Sequence, residues 1–163
     1  MSETKAQESH RTSDSAGAIY GTIVAMATIA AGAHSADIDR LLVITFANLF
    51  IFWIAHVYAA ALSHHLRESH WLDWAAIKRA MAEEWPLVTG PLPCMIVLAL
   101  GTFDLIADDR AVRFALWIGV LQLLGWGISF ARRRRWGWVA SLVSGAVNAL
   151  CGLGIVVLEV LVH

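Results

Sequence analysis

A histidine, a proline cluster and a few amides and hydroxyls interrupt stretches of sequence that are otherwise apolar, and these are the residues with chemistry to offer. Thr45, Asn48, His56 and Ser63 fall within an arc of about 80° at roughly 100° per residue, so they share one face of a helix. Ser141, Ser144, Asn148, Cys151 and Glu159 make a second stripe of the same kind. A histidine in apolar surroundings can carry protons near neutral pH, or it can stay neutral and hydrogen-bond. An ionisable residue within a membrane span is a functional candidate by default.

The prolines supply a second kind of chemistry, because each removes an N–H and collides with the carbonyl four residues back. Pro86, Gly90, Pro91 and Pro93 predict a kink or break, with the Leu87 and Thr89 carbonyls left without helix partners. In lipid, freed carbonyls must be met by side chains, water or a ligand. A neutral His56 bonded to a carbonyl such as that of Thr89 would repair the break, and a titrating His56 would carry protons beside it.

The elements that must position these residues are membrane helices. Of the 163 residues 58% are hydrophobic and only 15% are charged, against roughly 25% charged in a soluble domain. Five segments are apolar over about the 17 to 25 residues that a spanning helix needs: 17–33, 41–62, 86–107, 111–131 and 136–162. The fold class predicted is all-α, an integral membrane bundle of five transmembrane helices. Residues 1–16 read as a polar tail, and 17–163 as one transmembrane domain. The first span is too far into the chain, and too quickly followed by others, to read as a cleaved signal. Between the second and third spans Trp71, Trp74, Ile77, Met81 and Trp85 recur every three or four residues, predicting an amphipathic helix over 71–85 on the cytoplasmic surface. Small residues at Gly17, Gly21, Ala25, Thr28 and Gly32 form one close-packing stripe, and Ser141, Gly145 and Gly152 another.

Charge orients the bundle. Nine of the twelve basic residues (Lys5, Arg11, Arg67, Lys78, Arg79 and Arg132 to Arg135) fall on the side of the N-terminus, and Arg40, Arg110 and Arg113 fall on the other. The positive-inside rule then predicts a plasma-membrane protein with a cytoplasmic N-terminus and an external C-terminus. Counting 1.5 Å per residue, His56 lies roughly 10 Å from the cytoplasmic end of its helix, level with the proline break. Thr22, Thr89, Gln122 and Ser144 fall close to that depth, a candidate polar layer around His56. Asn48 and Asn148 both fall near the midplane, where an amide pair would contribute about 0.6 to 2 kcal/mol. Asp37, Asp39, Asp104, Asp108, Asp109 and Glu159 make the outer side acidic, which would concentrate cations at a mouth.

Several chemistries have no support in the residues. A bis-histidine haem needs a second buried imidazole, which only a dimer would supply. Cys94 and Cys151 read as small packing residues within spans. Phosphate-binding loops, dinucleotide fingerprints, nucleophile elbows and zinc-protease motifs are missing. No catalytic role, cofactor, metal or nucleic-acid partner is expected.

The strings GAIYGTIVAMATIAAG, FWIAHVYAAAL, EWPLV and LEVLVH resemble a group of small polytopic membrane proteins of high-GC bacteria. The resemblance covers nearly the whole chain and carries no activity with it. A fainter resemblance is to potassium channels with a Phe-Ser-Asp signature on the first helix. Thr12, Ser13 and Asp14 stand at the place of that signature, and Trp53 with His56 are similar to the second helix. The Phe is replaced and the spans number five instead of six.

Two functions compete on these grounds. One is an oligomeric channel or transporter for protons, cations or a small solute, lined by the layer around His56. The other is a non-catalytic membrane subunit or scaffold, in which the polar stripes join helices. The partners expected are the lipid bilayer and either a second copy or another membrane protein.

Overall fold

The computed structural model describes residues 2–33, 37–68, 74–134 and 136–162, all helix or short connection. The helices are α1 (Ser2–Gly32), α2 (Ile38–Glu68), α3 (Trp74–Glu83), α4 (Pro86–Thr89), α5 (Leu92–Thr102), α6 (Asp108–Arg133) and α7 (Trp138–Val162). A helix satisfies its own backbone groups, which is the condition for crossing a hydrocarbon layer. Four stretches meet the length and hydropathy of a span outright: Ser15–Gly32, Ile38–Ser63, Asp108–Arg133 and Trp138–Leu161. The chain is a polytopic all-α membrane protein.

The pair Ile77–Thr89 and Leu92–Thr102, bent by 54°, meets the same test only when its two arms are taken together, as a broken span or a re-entrant loop. At 1.5 Å per residue the two arms measure roughly 20 Å and 16 Å, enough together for a core of about 30 Å. The expected surface helix is present as α3, Trp74–Glu83, ahead of the bend. Trp74 and Trp85 are exposed on it, whereas Trp71 lies outside the described residues. Helix α1 runs from Ser2, through the polar stretch read as a tail, into its apolar part at Ser15.

The third span also ends earlier than its apolar residues suggest, at Thr102 instead of residue 107. Asp104 adopts φ 56°, its N–H bonds the Gly101 carbonyl at 2.8 Å, and the Leu105 N–H reaches back to Leu100 at 3.1 Å. This pair of bonds about a left-handed residue is a Schellman stop, and Asp tolerates that conformation better than most side chains. Asp104→Gly is therefore expected to hold or slightly raise the thermal midpoint in detergent. Asp104→Val should lower the midpoint, through a loss of about 1 to 2 kcal/mol in stability; equal midpoints would show that the turn is not strained.

Helices α1, α2, α4, α5 and α6 surround one core. Met26 and Ile29, Leu41, Leu49 and Trp53, Leu87, Leu98, and Leu116 and Leu123 meet there almost fully buried. Helix α7 is fastened to α6 along a seam of glycines. A Cβ on Gly127 would lie 2.8 Å from the Gly145 Cα and 2.7 Å from the Ser144 carbonyl oxygen, and one on Gly152 2.9 Å from Leu123. The stripe Ser141, Gly145, Gly152 thus serves an intrachain crossing. Only 17% of the α7 span is buried, and 28% of that of α2, so these two helices present most of the lipid-facing surface.

Candidate functional site

The proline break is where irregular backbone meets polar side chains, and three elements build it. Pro91 has no N–H to offer the Leu87 carbonyl, and Pro93 none to offer that of Thr89. The helix accordingly stops at Gly90, whose own N–H bonds Pro86 at 2.8 Å, and resumes at Leu92, with the Met95 N–H reaching Pro91 at 3.1 Å. Helix α1 closes over the gap. The Leu87 carbonyl oxygen points at the Cα of Gly21, in the space a Cβ would occupy, and a Cβ on Gly90 would lie 2.6 Å from the Cα of Ala18. Only glycine lets two backbones approach so closely, and a Cα–H can then weakly satisfy the freed oxygen. From the far side Gln122 of α6 donates its Nε2–H to the Gly90 carbonyl at 2.5 Å.

Two polar atoms beside this junction are buried without a protein partner, Gln122 Oε1 and Trp53 Nε1. The Trp53 ring packs edge-on against Trp85, centroids 5.6 Å apart, which ties α2 to the lead-in of the broken span. Cys94 donates to the Pro91 carbonyl at 2.9 Å. A lateral groove of about 480 Å³ opens between Phe46 and Ala47 of α2 and Met95 and Ile96 of α5, with an almost wholly apolar lining.

The predicted layer separates into independent local contacts. His56 Nδ1 lies 2.9 Å from the Phe52 carbonyl of its own helix, and its ring packs at 5.2 Å on Tyr20 of α1. No hydrogen bond joins it to the Thr89 carbonyl; the nitrogen that bonds, Nδ1, is turned to its own helix. Thr22 donates to Ala18 at 2.8 Å and Thr89 to Trp85 at 3.3 Å. Such back-bonding satisfies a hydroxyl without reaching another helix. The Ser144 carbonyl accepts from Asn148 Nδ2 at 2.9 Å. Of the five, Gln122 alone bonds to the break.

The amide pair Asn48–Asn148 is likewise replaced by other partners. Asn48 Nδ2 donates to Thr28 Oγ1 at 2.8 Å, and the Thr28 hydroxyl donates in turn to the Val24 carbonyl at 2.9 Å. Both contacts of the α1–α2 hairpin, Thr28 with Asn48 and Tyr20 with His56, follow one register, but the partner residues lie at unequal distances from the helix ends at Gly32 and Ile38, so counting from the connection does not give that register. In a double-mutant cycle, Thr28→Val with Asn48→Leu should give a coupling of about 0.6 to 1.7 kcal/mol in detergent unfolding; additive losses would dismiss the bond.

The acidic residues expected on the outer side have local structural places. Asp37 offers its carbonyl to the Leu41 N–H at 2.9 Å, Asp39 lies in the first turn of α2, and Asp108 and Asp109 lie in that of α6. There they favour the positive end of the helix dipole. Asp104 is the helix stop, and Glu159 lies near the end of α7. Among the described residues no three His, Cys, Asp or Glu side chains converge as metal ligands. No family model, curated protein or solved structure matches this chain. Its function is therefore argued from these contacts alone.

Proposed function

We propose that the chain is a non-catalytic membrane subunit or scaffold, a bundle whose interior polar groups join its own helices and whose outer faces meet lipid and another membrane protein, a second copy included. One observation supports this reading above others: around a filled apolar core Thr22, Thr28, Thr45, Cys94 and Asn148 return their hydrogen bonds to their own helices, while Asn48 bonds Thr28 and Gln122 bonds the Gly90 carbonyl across helices. Back-bonded groups need no solute, and the two crossing bonds hold helices together. The location proposed with this reading is the plasma membrane. With five crossings the two ends would lie on opposite sides, and the excess of basic residues on the side of the N-terminus supports a cytoplasmic N-terminus and an external C-terminus; accessibility of tags at Met1 and His163 from opposite sides tests this.

A channel or transporter for protons, cations or a small solute is the second reading. It is favoured by the broken span and the unpartnered Gln122 Oε1 beside it, since discontinuous helices commonly carry substrate sites in transporters. Purified protein in liposomes separates the two. The scaffold reading expects proton and potassium flux no greater than that of protein-free vesicles. Flux above that level would overturn it, and its loss of pH response in His56→Gln would return the proton role to His56, because Gln can hydrogen-bond yet cannot titrate.

A further inference from the structure

The basic end of α6 is more ordered than a run of arginines needs to be. Arg132 lies over the Trp138 ring with its guanidinium carbon 5.1 Å from the centroid, and Arg134 lies over Phe130 at 5.4 Å. Phe130 in turn meets Trp136 edge-on, centroids 6.4 Å apart at 86°. A ring face attracts the guanidinium charge without occupying the fork of N–H donors that matches a phosphate. Among the described residues no carboxylate pairs with Arg132, Arg133 or Arg134, and all three are exposed. Their charge suits a helix C-terminus, so they gather there without mutual strain on the fold.

The surroundings specify the kind of anion. Trp136 is 50% and Trp138 62% exposed, next to Val139 and Leu142 on the lipid-facing side of α7. Indole rings favour the headgroup level of a bilayer. Two clamped cations thus stand at headgroup depth directly above an apolar helix face. The geometry points to a binding site at the α6–α7 corner for an anionic phospholipid, its phosphate met by Arg132 over the Trp138 ring, with Arg134 adding to the positive potential of the corner, and its acyl chain lying along Trp138, Val139 and Leu142. The opposite end of α6 lacks this arrangement. There Arg113 donates to the Asp109 carbonyl at 3.3 Å, and Asp108 and Asp109 precede it.

The test uses full-length protein stripped of lipid in detergent and titrated with phosphatidylglycerol or phosphatidylcholine, with bound lipid counted by native mass spectrometry. Phosphatidylglycerol should bind in preference to phosphatidylcholine. The double variant Arg132→Gln/Arg134→Gln should weaken it about thirty-fold, from the usual contribution of two interfacial arginines. Trp138→Leu keeps every charge and should still weaken binding several-fold, whereas Arg110→Gln/Arg113→Gln should not. The site is overturned by undiminished binding in the first double variant or in Trp138→Leu, by equal binding of the two lipids, or by an equal loss in the Arg110/Arg113 variant, which would leave only net charge. Competition by inorganic phosphate at the lipid's own concentration would overturn it in favour of a free anion.

Discussion

Gly21→Val should destabilise the bundle by about 1 to 3 kcal/mol, the usual cost of forcing extra carbons into a packed interior. The new Cβ would enter the space held by the Leu87 carbonyl oxygen, and backbone cannot swing aside as a side-chain tip can. Helix propensity works the other way, since any residue with a Cβ suits a helix better than glycine, by up to about 1 kcal/mol. The informative control is Gly154→Ala, where a Cβ meets nothing within 4 Å. Unfolding in detergent should show a lower midpoint for Gly21→Ala, a larger loss for Gly21→Val, and no loss for Gly154→Ala. Equal behaviour at the two glycines would mean that α1 does not lie against the break.

Gln122→Leu is expected to cost about as much for a different reason. The substitution fills similar space but removes the donor to the Gly90 carbonyl, and a buried carbonyl left unpaired costs about 1 to 3 kcal/mol. Gln122→Asn is a useful companion, because its amide is one methylene too short to reach. Both should lower the unfolding midpoint, and both should raise hydrogen exchange or cysteine labelling at Cys94, which bonds the neighbouring Pro91 carbonyl from the next turn. A Leu variant as stable and as protected as the parent would remove Gln122 from the architecture of the break. The outcome bears on function as well, since Gln122 also carries the unpartnered oxygen on which the transport reading leans.

How far the site could be read in advance depended on the kind of inference. Depth along a helix is arithmetic, so His56, Thr22, Gln122 and the break could be set at one level from residue counts. Whether two residues at one level touch depends on helix neighbours and on rotation about each axis, and neither is carried by depth. His56 therefore met Tyr20, and Asn48 met Thr28 instead of Asn148. The small-residue stripe announced a close crossing without naming its partner, because glycine states what is permitted and not what arrives. The partner proved to be the backbone of the broken span, against Gly17 and Gly21, and the α2 side chain Leu41 against Gly32.

By itself the sequence determined the class of the molecule and the place of its irregularity. Long apolar runs in lipid have no alternative to helices that satisfy their own backbone, and prolines at 86, 91 and 93 cannot continue a helix without losing bonds. Tertiary structure decided where the lost bonds went. It turned the Leu87 carbonyl to Gly21 and the Gly90 carbonyl to Gln122, ended the third span at a left-handed Asp104, and seated two arginines of α6 on aromatic rings. The two carbonyl contacts depend on atoms brought together from distant segments, and the Asp104 stop and the arginine contacts on backbone angles and rotamers; local composition alone selects neither.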